Sequence, residues 1–277
     1  MNSTLKYILI WIFSIAFTLG IAVYQRMTGP TYPVRGKVEI GGQVVKFKLI
    51  RTYDGNDDAP IKVLAPDTSI HGELKLRRFK SYDGWHVQAM QRQGDTLIGY
   101  LPHQDPAGKV MYDVTLINGD QRVLLNDHSA VLRYKGLVPG YILIPHIFFI
   151  FFAMIFSTLT GLMVVFRMKH AYIYSWFTVI FLAIGGLILG PIVQKFSFDA
   201  YWTGWPFGHD LTDNKSLVEF IFWVIALVVM KKHRENQLWP IIAAVVLLVV
   251  FLIPHSVLGS EIDFTKEKKT EAGQIKN

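Results

Sequence analysis

The chain has 277 residues, 51% hydrophobic and 14% aromatic, with a formal net charge of +7 and no cysteine. Lacking cysteine, it can form no disulfide, thiolate nucleophile or cysteine-ligated metal site. The mean hydropathy of +0.31 fits a chain that is part membrane and part aqueous. The basic residues are dispersed or flank apolar runs, which points to membrane topology and away from a nucleic-acid partner.

The first apolar run, 7–24, follows Lys6. It exceeds the roughly 7–15 residues of a signal-peptide core, and no A-x-A cleavage site follows it. Residues 1–25 therefore read as an uncleaved signal-anchor helix.

Residues 26–138 change character. GKVEI (36–40), VVKFKLI (44–50), ELKLRRF (73–79), WHVQAMQ (85–91), TLIGYL (96–101) and VMYDVTLI (110–117) are separated by turn signals such as Gly41-Gly42 and Asn118-Gly119. Such spacing predicts seven or eight short strands in an external β-sandwich, and Asn118-Gly119 predicts a hairpin. His71, His86, His103 and His128 are scattered without metal or catalytic spacing, so they read as surface or packing histidines. Of Trp85 and His86, alternation sends one inward, and the tryptophan is the better candidate. The phrase GYLPHQDPAGKVMYDVTLI (99–117) resembles the late strands of bacterial immunoglobulin-like and fibronectin type III-like domains. That resemblance implies a fold and no activity.

Four further apolar runs, 141–166, 172–193, 217–230 and 238–253, bring the expected membrane helices to five, with residues 139–256 as a four-helix membrane region. Lys6, the turn with Arg167, Lys169 and His170, and the turn with Lys231, Lys232, His233 and Arg234 then share one side. The positive-inside rule makes that side cytoplasmic. The N-terminus is then inside, and the β-domain, the loop 195–215 and the polar tail 257–277 are outside. On the third run, Gly186 and Gly190 form G-x-x-x-G, a close-approach pattern, and Pro191 predicts a bend or stop.

Several polar groups converge on the outer face. Ile-Pro-His occurs at 144–146 and again at 253–255, and the loop 195–215 carries His209, Asp210 and Asp213 between aromatic residues suited to an interface. His146 shares a helix face with Ala153, Ser157, Thr160 and Gly161, which directs it into the bundle. His146, His209 and His255 with Asp210, Asp213 or Glu261 could hold zinc, copper or iron, and two of the imidazoles could ligate haem axially. The plainer alternatives are imidazoles solvated among headgroups, with prolines limiting helices, and direct binding of a ligand or partner. Glu219 also has two readings. It is an ionisable group in a membrane run, or the glutamate of a Ser216-x-x-Glu219 capping box, and the box is the simpler.

The phrases YWTGWPFGHDLTDNKSLVEF (201–220) and IPHSVLGSEID (253–263) resemble those of an uncharacterised family of bacterial inner-membrane proteins. The resemblance implies a bacterial inner membrane and names no substrate. Two functions are expected. One is a non-enzymatic envelope component, bound to the bilayer and to a membrane or periplasmic protein. The other is a metal- or haem-binding membrane protein. G-x-S-x-G and H-E-x-x-H are both missing from the sequence.

Overall fold

The computed structural model describes residues 3–208, 210–254, 259 and 261–266. The chain divides into a helical unit, 1–30 with 138–259, and a β-rich unit, 31–137 with the described residues of 260–277.

The helical unit contains α1 (Ser3–Thr28), α2 (Gly140–Val165), α3 (Ala171–Leu182), a π-helical segment (Ala183–Leu189), α4 (Gly190–Phe198), α5 (Leu211–Lys232) and α6 (Leu238–Leu252). Three helical stretches are long and apolar enough to cross a membrane: Thr4–Thr28, Gly140–Val165 and Ala171–Phe198. The last is α3 to α4 taken together. Pro191 sits in the first turn of α4 and does not stop the third run, which extends to Phe198. The missing proline N–H is absorbed upstream, where the backbone widens to π pairing and Gly190 N–H donates to Gly185 O. The other two expected spans fall short by these criteria. α6 has 15 residues, about 22 Å against a core of about 30 Å. α5 places Asp213, Lys215 and Glu219 in its first half.

Small residues let these helices approach. A Cβ on Gly185 would lie 2.9 Å from Phe149 Cβ in α2, and one on Gly161 would lie 2.9 Å from Ala244 Cβ in α6. Phenylalanines of α2 interlock with α3, as in Phe149 against Phe181 at 5.1 Å and Phe156 against Phe177 at 5.2 Å between centroids.

The unit has two chemically distinct ends. At one, the Tyr7 hydroxyl donates to Lys169 O (3.0 Å), Gln237 donates to Val164 O (2.8 Å), and the Arg234 guanidinium lies 3.5 Å from the Tyr172 ring centroid. These contacts gather Lys6 and the basic turns 167–170 and 231–234. At the other end, Gln25 donates to Phe251 O (2.8 Å) and Lys215 to Ile253 O (3.1 Å).

The β-rich unit holds β1 (Val34–Ile40), β2 (Gln43–Leu49), β3 (Thr52–Tyr53), β4 (Ala59–Leu64), β5 (His71–Arg78), β6 (His86–Ala89), β7 (Gln91–Gln93), β8 (Thr96–Leu101), β9 (Lys109–Asn118), β10 (Gln121–Leu124) and β11 (Ala130–Tyr134). These strands form three sheets where a two-sheet sandwich is expected: β1-β2, β3-β11-β9-β5-β6 with β10 also on β9, and β4-β8-β7. One cause is Met90. The run 85–91 reads as one strand, but it turns there, with Met90 buried and its N–H given to Gly72 O at 2.7 Å. The chain thus passes from β5's sheet to β8's, as strands do at sheet corners. Gly41 and Gly42, at φ +59° and +72°, make the two-residue turn joining β1 and β2.

β9 is the central strand, with β5 on one edge and β11 and β10 sharing the other. Its Val110, Tyr112, Val114 and Leu116 point into the core with Leu74, Ile61 and Leu132. The buried Tyr112 and Tyr134 hydroxyls donate to Ile50 O and Leu101 O, both at 2.7 Å, and burial pushes both phenols up. Arg92 staples a loop by donating to Ala65 O and Ile70 O. Trp85 does not join the core. It lies partly exposed beneath Lys75 and Arg77, at 4.6 and 4.7 Å. His71, His86, His103 and His128 are exposed.

A candidate functional site at the polar end of the helical unit

The loop before α5 folds onto the start of that helix. Asp210 is the N-cap, its Oδ1 accepting from Thr212 N–H at 2.8 Å. Asp213 Oδ2 accepts from Thr203 N–H (2.6 Å) and Gly204 N–H (3.0 Å), and Asn214 Oδ1 accepts from Trp205 N–H (2.7 Å). Gln194, from α4, donates to the Thr203 hydroxyl at 2.6 Å. Only glycine fits at 204, because a Cβ there would lie 2.6 Å from Asp213 Cβ. Outside this pinned core Tyr201, Trp205 and Phe207 are exposed, as interfacial anchors would be.

The capping-box reading of Ser216 and Glu219 is overturned. The helix begins at Leu211, so Ser216 is interior and its hydroxyl donates back to Thr212 O at 3.3 Å. Glu219 is therefore no cap. It is 7% exposed and falls on one buried stripe with Lys215 (8%) and Trp223 (0%). Lys215 and Glu219 are i and i+4, neighbours on a helix surface. The signal for this stripe was the four-residue spacing of Lys215, Glu219 and Trp223, which the false cap obscured.

His146 lies half-buried on α2. Its Nδ1 is 2.9 Å from Gly185 O in the π-helical segment. A carbonyl only accepts, so Nδ1 carries the proton and Nε2 holds the lone pair of the neutral ring. Glu261 belongs to the β-rich unit, where its oxygens pair with Lys80 and, at 2.5 Å, with Lys109. Burial disfavours its charge, but the hydrogen bonds from Lys109 and Lys80 outweigh this and hold its carboxyl below the usual range. The same pairing raises Lys80. Close by, Ile262 N–H donates to Ala107 O and Arg78 stacks 4.4 Å over Phe264.

Of the six candidate ligands, His146, Asp210 and Asp213 are in the helical unit and Glu261 is in the other. His209 and His255 lie outside the described residues. Among the described residues, no group of three His, Asp or Glu is placed to hold a metal ion. In comparisons with known proteins, the chain matches no protein-family model, no curated protein and no solved structure.

Proposed function

We propose that the chain is a multi-pass protein of a bacterial inner membrane, with the basic end of its helical unit cytoplasmic and its β-rich unit outside. There it serves as a non-enzymatic binding or accessory component of a membrane assembly. The observation that supports the topology in this reading is the fastening of residues 261–266 to the β-rich unit through Glu261, Ile262 and Phe264. On this reading the chain after α6 returns to the side on which the β-rich unit lies, and an even number of crossings separates them. α2 supplies one and the α3–α4 stretch another, so α5 and α6 cross together or not at all. Their packing against α2 and α3, with the turn 231–234 at the same end as 167–170, favours five crossings in all. The likeness of 99–117 to immunoglobulin-like strands fits a binding module, although the unit has three sheets.

Photo-crosslinkers placed one at a time on exposed positions of the β-rich unit, in native membranes, test the assignment. A single discrete adduct from clustered positions is the expected result. Uniform failure, with the chain purifying alone, contradicts it.

A second reading, metal or haem ligation, is favoured by one feature: His146 is held through Nδ1, which leaves the Nε2 lone pair free to ligate, the usual arrangement of an orienting contact behind a ligand. Metal analysis and an absorption spectrum of the purified protein, with His146→Ala and His255→Ala variants, decide it. Bound metal lost in both variants supports ligation, and a colourless protein that takes up no metal refutes it.

A further inference from the structure

The β1–β2 hairpin pairs like charges directly. In its register Arg35 stands opposite Lys48 and Lys37 opposite Lys46. Strand alternation puts all four on one face, and all four are exposed. Opposed cross-strand residues have Cβ atoms about 4.5–5.5 Å apart, where like charges are destabilising. Lys62 on β4 adds a fifth cation. The five line a cleft of about 720 Å³, which Phe47 and Leu64 also line. None of the five forms an ion pair among the described residues. Arg35 instead rests 5.6 Å from the Tyr32 ring centroid. Glu39 is the one carboxylate on this face of the hairpin, and it stands opposite Val44. A fold that accepts repulsion across two adjacent pairs presents a surface shaped for an anion.

Three observations favour lipid as the anion. Four of the cations form a two-by-two array on the hairpin, spaced about 5 Å across and about 7 Å along it, and Lys62 widens it from a second sheet, whereas a single acidic strand offers a line. Exposed apolar side chains sit among them, Leu64 beside Lys62 and Val44 beside Lys46, the mixture that enters a headgroup layer while lysine stems snorkel. The tether is short as well. Only residues 29–33 separate the end of α1 from β1, and six Cα steps reach about 20 Å at most, so the array stays at high effective concentration near a bilayer.

We propose that this five-cation cleft docks the β-rich unit onto the anionic phospholipid headgroups of the bilayer that holds α1. The inference rests on α1 crossing the membrane, part of the reading above. Anionic headgroups attract basic side chains held within about a Debye length of the surface, roughly 10 Å at 0.1 M salt.

The chain has no cysteine, so Leu64→Cys in the full-length protein gives one labelling site. An environment-sensitive fluorophore there is read in nanodiscs of phosphatidylcholine, alone or mixed with phosphatidylglycerol. The expected result is a blue shift and a severalfold loss of acrylamide quenching only when phosphatidylglycerol is present, reversed by high salt. Lys46→Gln with Lys48→Gln should restore the quenching seen in phosphatidylcholine. That variant should melt no lower than the parent, since it relieves the opposed charges. Equal quenching in both lipids overturns the proposal. So does protection by soluble polyglutamate in phosphatidylcholine discs without protection by phosphatidylglycerol, which would mark an acidic protein as the partner. Failure of the protein to enter discs at all overturns the anchoring reading itself, and the inference with it.

Discussion

Glu261 holds two ammonium groups at once, those of Lys80 and Lys109, and so fixes the segment 261–266 to the β-rich unit. Its folded-state titration lies below that of a free glutamate, about 4.3. A depressed carboxylate contributes stability above the unfolded value and loses it as pH falls through the folded one. Protection of the Ile262 amide against hydrogen exchange should therefore be full at neutral pH and fall on acidification below about pH 4. Glu261→Gln should lower it at neutral pH by about fivefold, since partly exposed pairs contribute about 1 kcal/mol in total. Unchanged protection in this variant would show the pairs to be incidental. Gly204 is a second sharp case. Gly204→Ala forces a Cβ to within 2.6 Å of Asp213 Cβ and should cost about 1–3 kcal/mol in unfolding, read as a lower melting temperature in detergent. Asp213 drew notice in the sequence as a polar group in an aromatic loop. Its partners are backbone N–H groups of residues 203 and 204, which no side-chain pattern advertises.

α2 is the hub of the helical unit, packing on α1, α3 and α6. Gly161 sets its approach to α6, so Gly161→Ala, with a Cβ 2.9 Å from Ala244 Cβ, should destabilise the detergent-solubilised protein, and Ala244→Gly should rescue it. A loss that Ala244→Gly leaves uncorrected would place the strain elsewhere. Much of the element structure was legible. Alternation gave β2, β5 and β9, and Gly41-Gly42 and Asn118-Gly119 marked turns that the structure contains. β3, β4 and β11 escaped for separate reasons. β3 has two residues, β4 carries Pro60 within APIKVL, and β11 is short and follows a polar turn. The start of α5 is hidden in the sequence because LTDNKS is poor in apolar periodicity, while Ser216 and Glu219 imitate a cap. The π-helical segment has no sequence signature beyond Gly185-Gly186 ahead of Pro191.

Charge and hydropathy are divided unevenly along the chain. Lys6 and two basic turns meet at one end of the helical unit, while the exposed aromatic loop and the Lys215–Ile253 contact mark the other. The β-rich unit is inserted between α1 and α2 and receives the chain again after α6. What sequence leaves open is the destination of the candidate ligands, because the three histidines come from separate stretches and chain spacing does not fix their geometry. Five crossings with the β-rich unit outside are proposed, and their sidedness is open to a direct test. It is read with single cysteines at Asn56, Lys169, Phe207 and Glu235 in membrane vesicles of known orientation, probed with an impermeant thiol reagent. Asn56→Cys and Phe207→Cys should label from the outer face, with Lys169→Cys and Glu235→Cys labelling only after permeabilisation. Labelling of Lys169→Cys or Glu235→Cys from the outer face, or of Asn56→Cys and Phe207→Cys from opposite faces, would contradict it.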